Sequence, residues 1–498
     1  MRARTRRVVP ADSVDAVLRP WDGFVKERRL DDGTFEAVDG PVARYRRTVD
    51  VTPNDDGTVL VDQVVDYKLA APFFSWFFLG VAWKYFKRLA PSDRQPWWAP
   101  PQRLDVRAAV AFDALAGTAL IVGYLGTVLT QTFTFAANEF DTGRGAQGLS
   151  LAIVRADVLV AFFLVAMADR RGRRKLLLTT AAIGCVLTMT GALAPNLPGL
   201  IGSQLVTRGF VTAASVLIAI VAVEEMPAGS RAYAVSLLTM AGALGAGVCV
   251  FALPLADMDE RAWRLLYLLP AVGLVLLRAL SGHLPESRRF TTPHKVVAMA
   301  GHGRRLWLLA VSTFLLALFT VPASQFQNEF LRDERGYSAA RITLFTILTA
   351  TPAAIGIVAG GRWADMHGRR KIGAIGVVGG VGFTVLMFFS HGWPLWAWSI
   401  VASIVGAATV PALGVYGPEL FPTSLRGKAN GLIFGLGRVG SVVGLVTVGY
   451  LSDRFGSLPP AFAVMAFGPL LLAVLVIVAY PETAGRELEE LNPEDAVP

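Results

Sequence analysis

Cysteine is nearly absent: Cys185 and Cys249 are the two in 498 residues, and both fall inside apolar runs. That excludes a disulfide framework and a cysteine metal cluster. Charge is scarce too, at 17% of residues, against about 25% in soluble globular domains. No phosphate-binding loop occurs, so ATP drive has no support. No cofactor, no metal and no enzymatic activity are expected. The opening Met1–Pro20 is basic and polar and lacks the apolar core of a signal peptide, so the N-terminus is expected to stay in the cytoplasm. What is abundant is apolar. Hydrophobic residues make up 53% of the chain, collected into runs of about 20, the length that crosses a bilayer as a helix. A soluble enzyme and a disordered chain are both excluded. The net charge of +9 leaves nucleic acid open until the charges are located.

Twelve spans can be drawn after residue 105, near 108–131, 148–168, 176–195, 198–223, 232–254, 265–284, 306–327, 338–361, 372–391, 393–417, 428–451 and 458–480. An even number places both termini on one side. Connections after even-numbered spans carry more than twice the Lys and Arg of those after odd-numbered ones. They, and the termini, are therefore assigned to the cytoplasm. The basic excess becomes a topology signal, and no nucleic-acid partner is expected.

The chain also repeats itself. ADRRGRRK at 168–175 returns as ADMHGRRK at 364–371, and EEMPAGSRA at 224–232 as ELFPTSLRG at 419–427. LPESRR at 284–289 returns as YPETAG at 480–485, and NEF at 138–140 again at 328–330. Four matches in register with the spans mean two six-helix halves, 106–284 and 306–480. A cytoplasmic connection at 285–305 joins them and a tail at 481–498 follows.

These residues resemble the major facilitator superfamily. The D-R-x-G-R-R-K pattern and the paired E-x-x-P-x-x-x-R connections carry the likeness, and PES-R with PETAG points to the sugar-porter and metabolite:proton symporter branches. The resemblance covers about 105–490. It implies an all-α membrane fold, twelve transmembrane helices in two six-helix bundles that rock around a central cavity. It further implies that the repeated loop charges form a cytoplasmic gating latch of carboxylate–guanidinium pairs. Asp169, Arg173, Glu224, Arg231 and Glu286 belong to the first half of that latch, and Asp365, Arg369, Glu419, Arg426 and Glu482 to the second. Anchoring by basic loops alone is the competing reading, and it leaves the repeated acidic partners unexplained. Gly172 and Gly368 are expected to let the chain reverse tightly beside these loops.

Charge inside a span costs about 2.5–3.5 kcal/mol at a helix centre and marks function by default. Five residues qualify: Asp113, Arg155, Asp157, Arg208 and Arg438. Arg155 and Asp157 lie two apart and point to different helix faces. Asp157 falls about 18 Å along its helix from Asp169, near the midplane. Desolvation there favours its protonated form and a nearby Arg the charged form, so it is the first candidate proton carrier, with Asp113 second. The alternative for each is a permanent strut. Arg208 stands where the superfamily often has an Arg linked to proton coupling, and Arg438 resembles the span-11 Arg of organic-acid symporters. Two cations facing a cavity suit an anionic substrate; Arg438 neutralising Asp113 or Asp157 is the other reading. Glycines 242, 245, 247, 435, 437, 440 and 444 are read as close-packing positions. Gln325, Gln327 and Asn328 are read as capping a helix end or lining an outer vestibule.

A sugar is disfavoured, because span 7 reads FLLALFTVPA where sugar porters carry a Gln-rich stretch, and Leu125 replaces the usual Asp after Gly-Tyr. Residues 1–90 form a small cytoplasmic α+β extension: a β-hairpin over 43–51 and 58–69, then an aromatic helix too short to span. Two strands cannot make a stable core, so it needs another surface. A Pro-rich linker at 91–105 follows, with Trp97 and Trp98 expected at the membrane interface. The expected function is proton-coupled symport of a small organic anion or metabolite by a monomer in the inner (cell) membrane. Proton-coupled efflux of drug-like or lipidic amphiphiles is the alternative, and a non-transporting membrane sensor or scaffold a third reading.

Overall fold

The computed structural model describes residues 1–55, 57–90, 93–141, 150, 153–154, 156–288, 298–337 and 339–495. Among the described residues eleven helices are long and apolar enough to cross a membrane, and Asp157–Ala168 is a shorter apolar helix between the first and second of them. Numbered in chain order with that helix as span 2, they are span 1 Val106–Phe133, span 3 Arg173–Leu193, span 4 Leu197–Glu225, span 5 Ala228–Ala256 and span 6 Ala262–Ser281. The second half holds span 7 Gly303–Gln327, span 8 Leu344–His367, span 9 Arg369–Phe389, span 10 Gly392–Glu419, span 11 Arg426–Phe455 and span 12 Leu458–Ala479.

Glycine sets how closely the helices pack. A Cβ on Gly245 of span 5 would lie 1.8 Å from the Leu120 carbonyl oxygen of span 1. In the second half, a Cβ on Gly440 of span 11 would meet the Phe314 carbonyl of span 7 at 2.5 Å. The expected close packing also holds at Gly437 and Gly444, whereas Gly247 and Gly435 face open space. Span 2 meets span 11 across the halves, where Gly431 leaves room for Phe162.

The extension is larger than the hairpin read from the sequence. Strands β1 (Arg2–Pro10), β2 (Lys26–Arg29), β3 (Phe35–Asp39), β4 (Val42–Pro53) and β5 (Thr58–Leu69) form one antiparallel sheet in the order β1-β5-β4-β3-β2. Helix α1 (Val14–Leu18) is short, and α2 (Ser75–Phe86) lays Ala82, Tyr85 and Phe86 on the sheet. Phe86 stacks among Tyr67, Tyr45 and Trp21. The extension thus has its own core and needs no borrowed surface, contrary to the two-strand expectation. Within that core Arg47 and Glu27 are fully buried, 2.6 Å apart, and Tyr45 donates to the same carboxylate at 2.5 Å. Arg47 also donates to the Val17 and Arg19 carbonyls, so each charge is compensated by hydrogen bonds. Trp98 of the linker packs on Phe24 at 5.0 Å at the edge of this core, while Trp97 is exposed.

Candidate functional site

Two clusters of charge lie between the halves. The first is inside the spans. Asp157 opens span 2, and its carboxylate accepts from the Thr212 hydroxyl of span 4 at 2.9 Å. Arg438 of span 11 approaches the same oxygen at 3.6 Å. Gly209 permits this, because a Cβ there would lie 2.4 Å from Cβ of Val160 and hold spans 2 and 4 apart. The other Asp157 oxygen is buried and has no hydrogen-bond partner among the described residues. Arg438 reaches into a cavity of about 380 Å³ lined also by Gly123, Thr127, Arg208, Thr212 and Thr239. Arg208 donates to the Gly126 carbonyl at 3.2 Å. Two guanidiniums therefore border one cavity, a fit for carboxylate geometry.

A second cavity, about 840 Å³, lies among the second-half spans and is lined by Ser312, Thr320, Gln327, Thr346, Ser403 and Asn430, among others. No charged side chain lines it among the described residues. Gln327 thus faces a cavity; the side chain of Asn328, like that of Asp169, and all of Arg155 lie outside the described residues.

Asp113 is elsewhere. It is buried near the start of span 1, where its two oxygens accept the Phe73 and Phe74 backbone amides, each at 2.8 Å. Neither Arg438 nor the cavity is its partner, so the pairing of Asp113 with Arg438 gives way to docking of the extension.

The second cluster is the repeated loop motif. Glu224, ending span 4, contacts Arg173 of its own half at 3.1 Å and Arg426 of the other half. Glu419, ending span 10, contacts Arg369 of its own half and Arg231 of the other at 3.4 Å. All five of these charged side chains other than Arg231 are fully buried, and Arg231 is 1% exposed. Each acidic residue thus grips one guanidinium from each half. Arg173 donates further to the Thr423 carbonyl across the seam, and Asp365 accepts from Arg369 and from the Ala232 and Tyr233 amides of span 5.

Glu286 and Glu482 differ from the expected guanidinium pairs. Glu286 accepts the Arg173 and Arg174 amides at 2.9 and 3.0 Å, and Glu482 those of Arg369 and Arg370 at 3.0 and 3.3 Å. They cap the first turns of spans 3 and 9, where free amides favour an anion. Gly172 and Gly368 have φ of +94° and +102°, and a Cβ on Gly368 would meet Glu482 at 2.7 Å. The glycine makes room for the cap.

Sequence reasoning missed Thr212, although it lies four residues after Arg208 and so on the same helix face. It also missed Asp495, which holds the Thr423 amide and hydroxyl and lies 3.6 Å from Arg426; nothing local in the tail signals that contact. Beside this second cluster, Asp105 meets Arg288 at 2.6 Å. Burial pushes the Asp105 carboxyl up, but the Arg288 guanidinium and the Ala108 amide outweigh it and hold it below the usual carboxylate range.

Residues 118–300 match the family described as "Sugar (and other) transporter", and residues 306–496 the family described as "Major Facilitator Superfamily". The chain belongs to the major facilitator superfamily. It is a multi-pass membrane transporter of the sugar and metabolite type, not an enzyme. A cis,cis-muconate transport protein of Acinetobacter baylyi is 23% identical over 235 residues, 44% of this chain and 57% of that relative. The glucose transporter GlcP of Staphylococcus epidermidis is 23% identical over 428 residues, 76% of this chain and 95% of its own. Among solved structures, the proton:xylose symporter XylE bound to 6-bromo-6-deoxy-D-glucose superposes with a TM-score of 0.64 at 17% identity, over 78% of this chain and 98% of that one. That likeness concerns the fold. Superfamily membership accounts for the two halves and the repeated loops; the five-stranded extension lies outside both matched segments.

Proposed function

We propose that this transporter is a proton-coupled symporter of small organic anions, working as a monomer by alternating access across the cell membrane with both termini in the cytoplasm. The observation that carries the reading is the contact of Asp157 with Arg438 across the halves, beside a cavity that Arg208 also borders. A carboxylate substrate competes with Asp157 for Arg438. A proton on Asp157 frees that guanidinium, so loading the anion and loading the proton favour each other. The hydroxyl-lined cavity of the second half suits an uncharged, polar or aromatic substrate body. Muconate, named for one relative, is a carboxylate and fits this chemistry.

The Glu224–Arg426 and Arg231–Glu419 contacts hold the cytoplasmic face shut, and parting them opens the cavity inward. Lys and Arg enrichment in the connections on the latch side supports the orientation. The test is uptake into proteoliposomes carrying a pH-sensitive dye, with a panel of mono- and dicarboxylates. Substrate-dependent proton entry that is lost in Asp157→Asn is the expected result. Carboxylate uptake with proton entry unchanged in that variant removes Asp157 from coupling, and uptake of sugars but not carboxylates overturns the substrate class.

A further inference from the structure

The face of α2 turned away from the sheet is itself apolar. Its buried side carries Ala82, Tyr85 and Phe86. The opposite stripe runs Trp76, Phe77, Gly80, Trp83 and Lys84, all exposed, with Trp76 at 65%, Phe77 at 59% and Trp83 at 41%. Positions one turn apart on a helix share a face, so these residues form one continuous surface. A helix facing water carries polar residues there; this one carries aromatic rings, with cations only at its C-terminal end. Lys87 lies 3.6 Å from the centre of the Trp83 ring, and Lys84 and Arg88 are next to it.

The helix is also fixed close to the membrane spans. Asp113, in span 1, holds the amides of Phe73 and Phe74, immediately ahead of α2. Both rings pack against the core of the first-half bundle, and Phe73 meets the His283 ring edge-on at 5.2 Å, just beyond span 6. The aromatic stripe therefore continues from the ends of two membrane spans. We infer that α2 lies in the lipid interface on the latch side, with Trp76, Phe77 and Trp83 among the upper acyl chains and Lys84, Lys87 and Arg88 on anionic headgroups. Trp rings favour that depth, and a short helix with an apolar face and flanking cations binds such a surface.

Gly80 offers a direct probe. It lies within the stripe and a Cβ there meets nothing within 4 Å. The native Cys185 and Cys249 are buried, so a cysteine introduced on the surface is labelled selectively. The full chain carrying Gly80→Cys, spin-labelled, is reconstituted in phosphatidylcholine vesicles with and without phosphatidylglycerol. Val38→Cys on exposed β3 is the water-facing control. The expected result is that oxygen relaxes the label at 80 more than a water-soluble nickel chelate does, the reverse of position 38. Immersion should deepen with phosphatidylglycerol and lose that dependence in Lys84→Glu/Lys87→Glu. Equal accessibility at the two positions overturns the inference. A label at 80 shielded from both reagents does so too, because it places a protein partner on the stripe. Immersion indifferent to phosphatidylglycerol overturns the assignment of the cations to anionic headgroups.

Discussion

Asp157 and Arg438 face each other across the two halves at 3.6 Å, yet the carboxylate is 1% exposed and the guanidinium 41%. The asymmetry makes the two deletions unequal. Arg438→Ala leaves a sealed charge bonded by Thr212 alone among the described residues, and breaking such a pair costs about 3–5 kcal/mol. Asp157→Asn leaves a cation that water reaches, at a cost of about 1 kcal/mol or less. Thermal unfolding in detergent should show Arg438→Ala well below Asp157→Asn, with the double variant recovering most of the loss. Equal losses would show that the carboxylate is not sealed in the protein as it unfolds.

The latch makes a prediction about charge reversal. Glu224 holds Arg173 and Arg426 at once, and Glu419 holds Arg369 and Arg231. Exchanging the charges of an isolated pair restores it. Here Glu224→Arg with Arg426→Glu brings a new guanidinium against Arg173, which stays in place. The exchange should therefore fail to rescue either single variant, and all three should label more readily from the latch side at a cysteine in the cavity. Full rescue would mean that Arg173 contributes nothing to the closed form.

Two glycines of span 5 separate packing from mere composition. Gly245→Ala drives a methyl into the Leu120 carbonyl, which backbone cannot avoid. Gly247→Ala meets nothing and trades a poor helix former for a good one. The first should lower the yield of folded protein and its melting temperature, with a stability loss of about 1–3 kcal/mol, as overpacking typically costs, or more. The second should leave both unchanged or slightly raised. Size-exclusion profiles and melting curves decide it.

Why the bundle could be read from the sequence, and the site only in part, follows from where the partners come from. Span length, loop charge and the repeat are local signals, and twelve apolar helices emerge from them. Glu224, Arg231, Glu419 and Arg426 were legible because each half repeats the same spacing. Glu286 and Glu482 were found but misassigned: a carboxylate beside a basic loop reads alike whether it takes a guanidinium or a helix amide. Asp113 was ambiguous because its partners, the Phe73 and Phe74 amides, carry no side-chain signal. Strand β1 was hidden because its inward residues Ala3 and Thr5 are small or polar, and it pairs with β5 some sixty residues away, with no turn to announce it.

Acid should loosen the extension only well below neutrality. The folded Asp105 carboxyl titrates below its unfolded value of about 3.9. Its stabilising contact is then fully present above that value and lost as pH falls through the folded one. Both Asp105 and Arg288 are near half exposed, so the effect is small. Protease sensitivity of the 91–105 linker should be flat from pH 5 to 8 and rise below about 4, with Arg288→Gln abolishing the rise. A change in transport between pH 5 and 8 therefore cannot come from this pair.

The linker straddles the seam between the two halves. The Trp98 carbonyl accepts from the Tyr233 hydroxyl of span 5 at 2.7 Å, and Gln102 exchanges hydrogen bonds with Gly229 and Ser230 at 2.8–2.9 Å. The adjacent Ala99 carbonyl accepts from Arg362 of span 8, in the other half. Separation of the halves on this face leaves the first-half contacts in place and breaks the Arg362 bond. A hydrogen bond from a charged donor contributes about 1.5–3 kcal/mol, which is roughly a ten- to hundredfold bias toward the closed form. Arg362→Ala should raise latch-side labelling of a cavity cysteine by a factor in that range without weakening substrate binding. Tyr233→Phe should loosen the linker to protease and leave labelling unchanged. If Arg362→Ala labels at the original rate, the linker moves with the second half as well as the first and does not restrain opening.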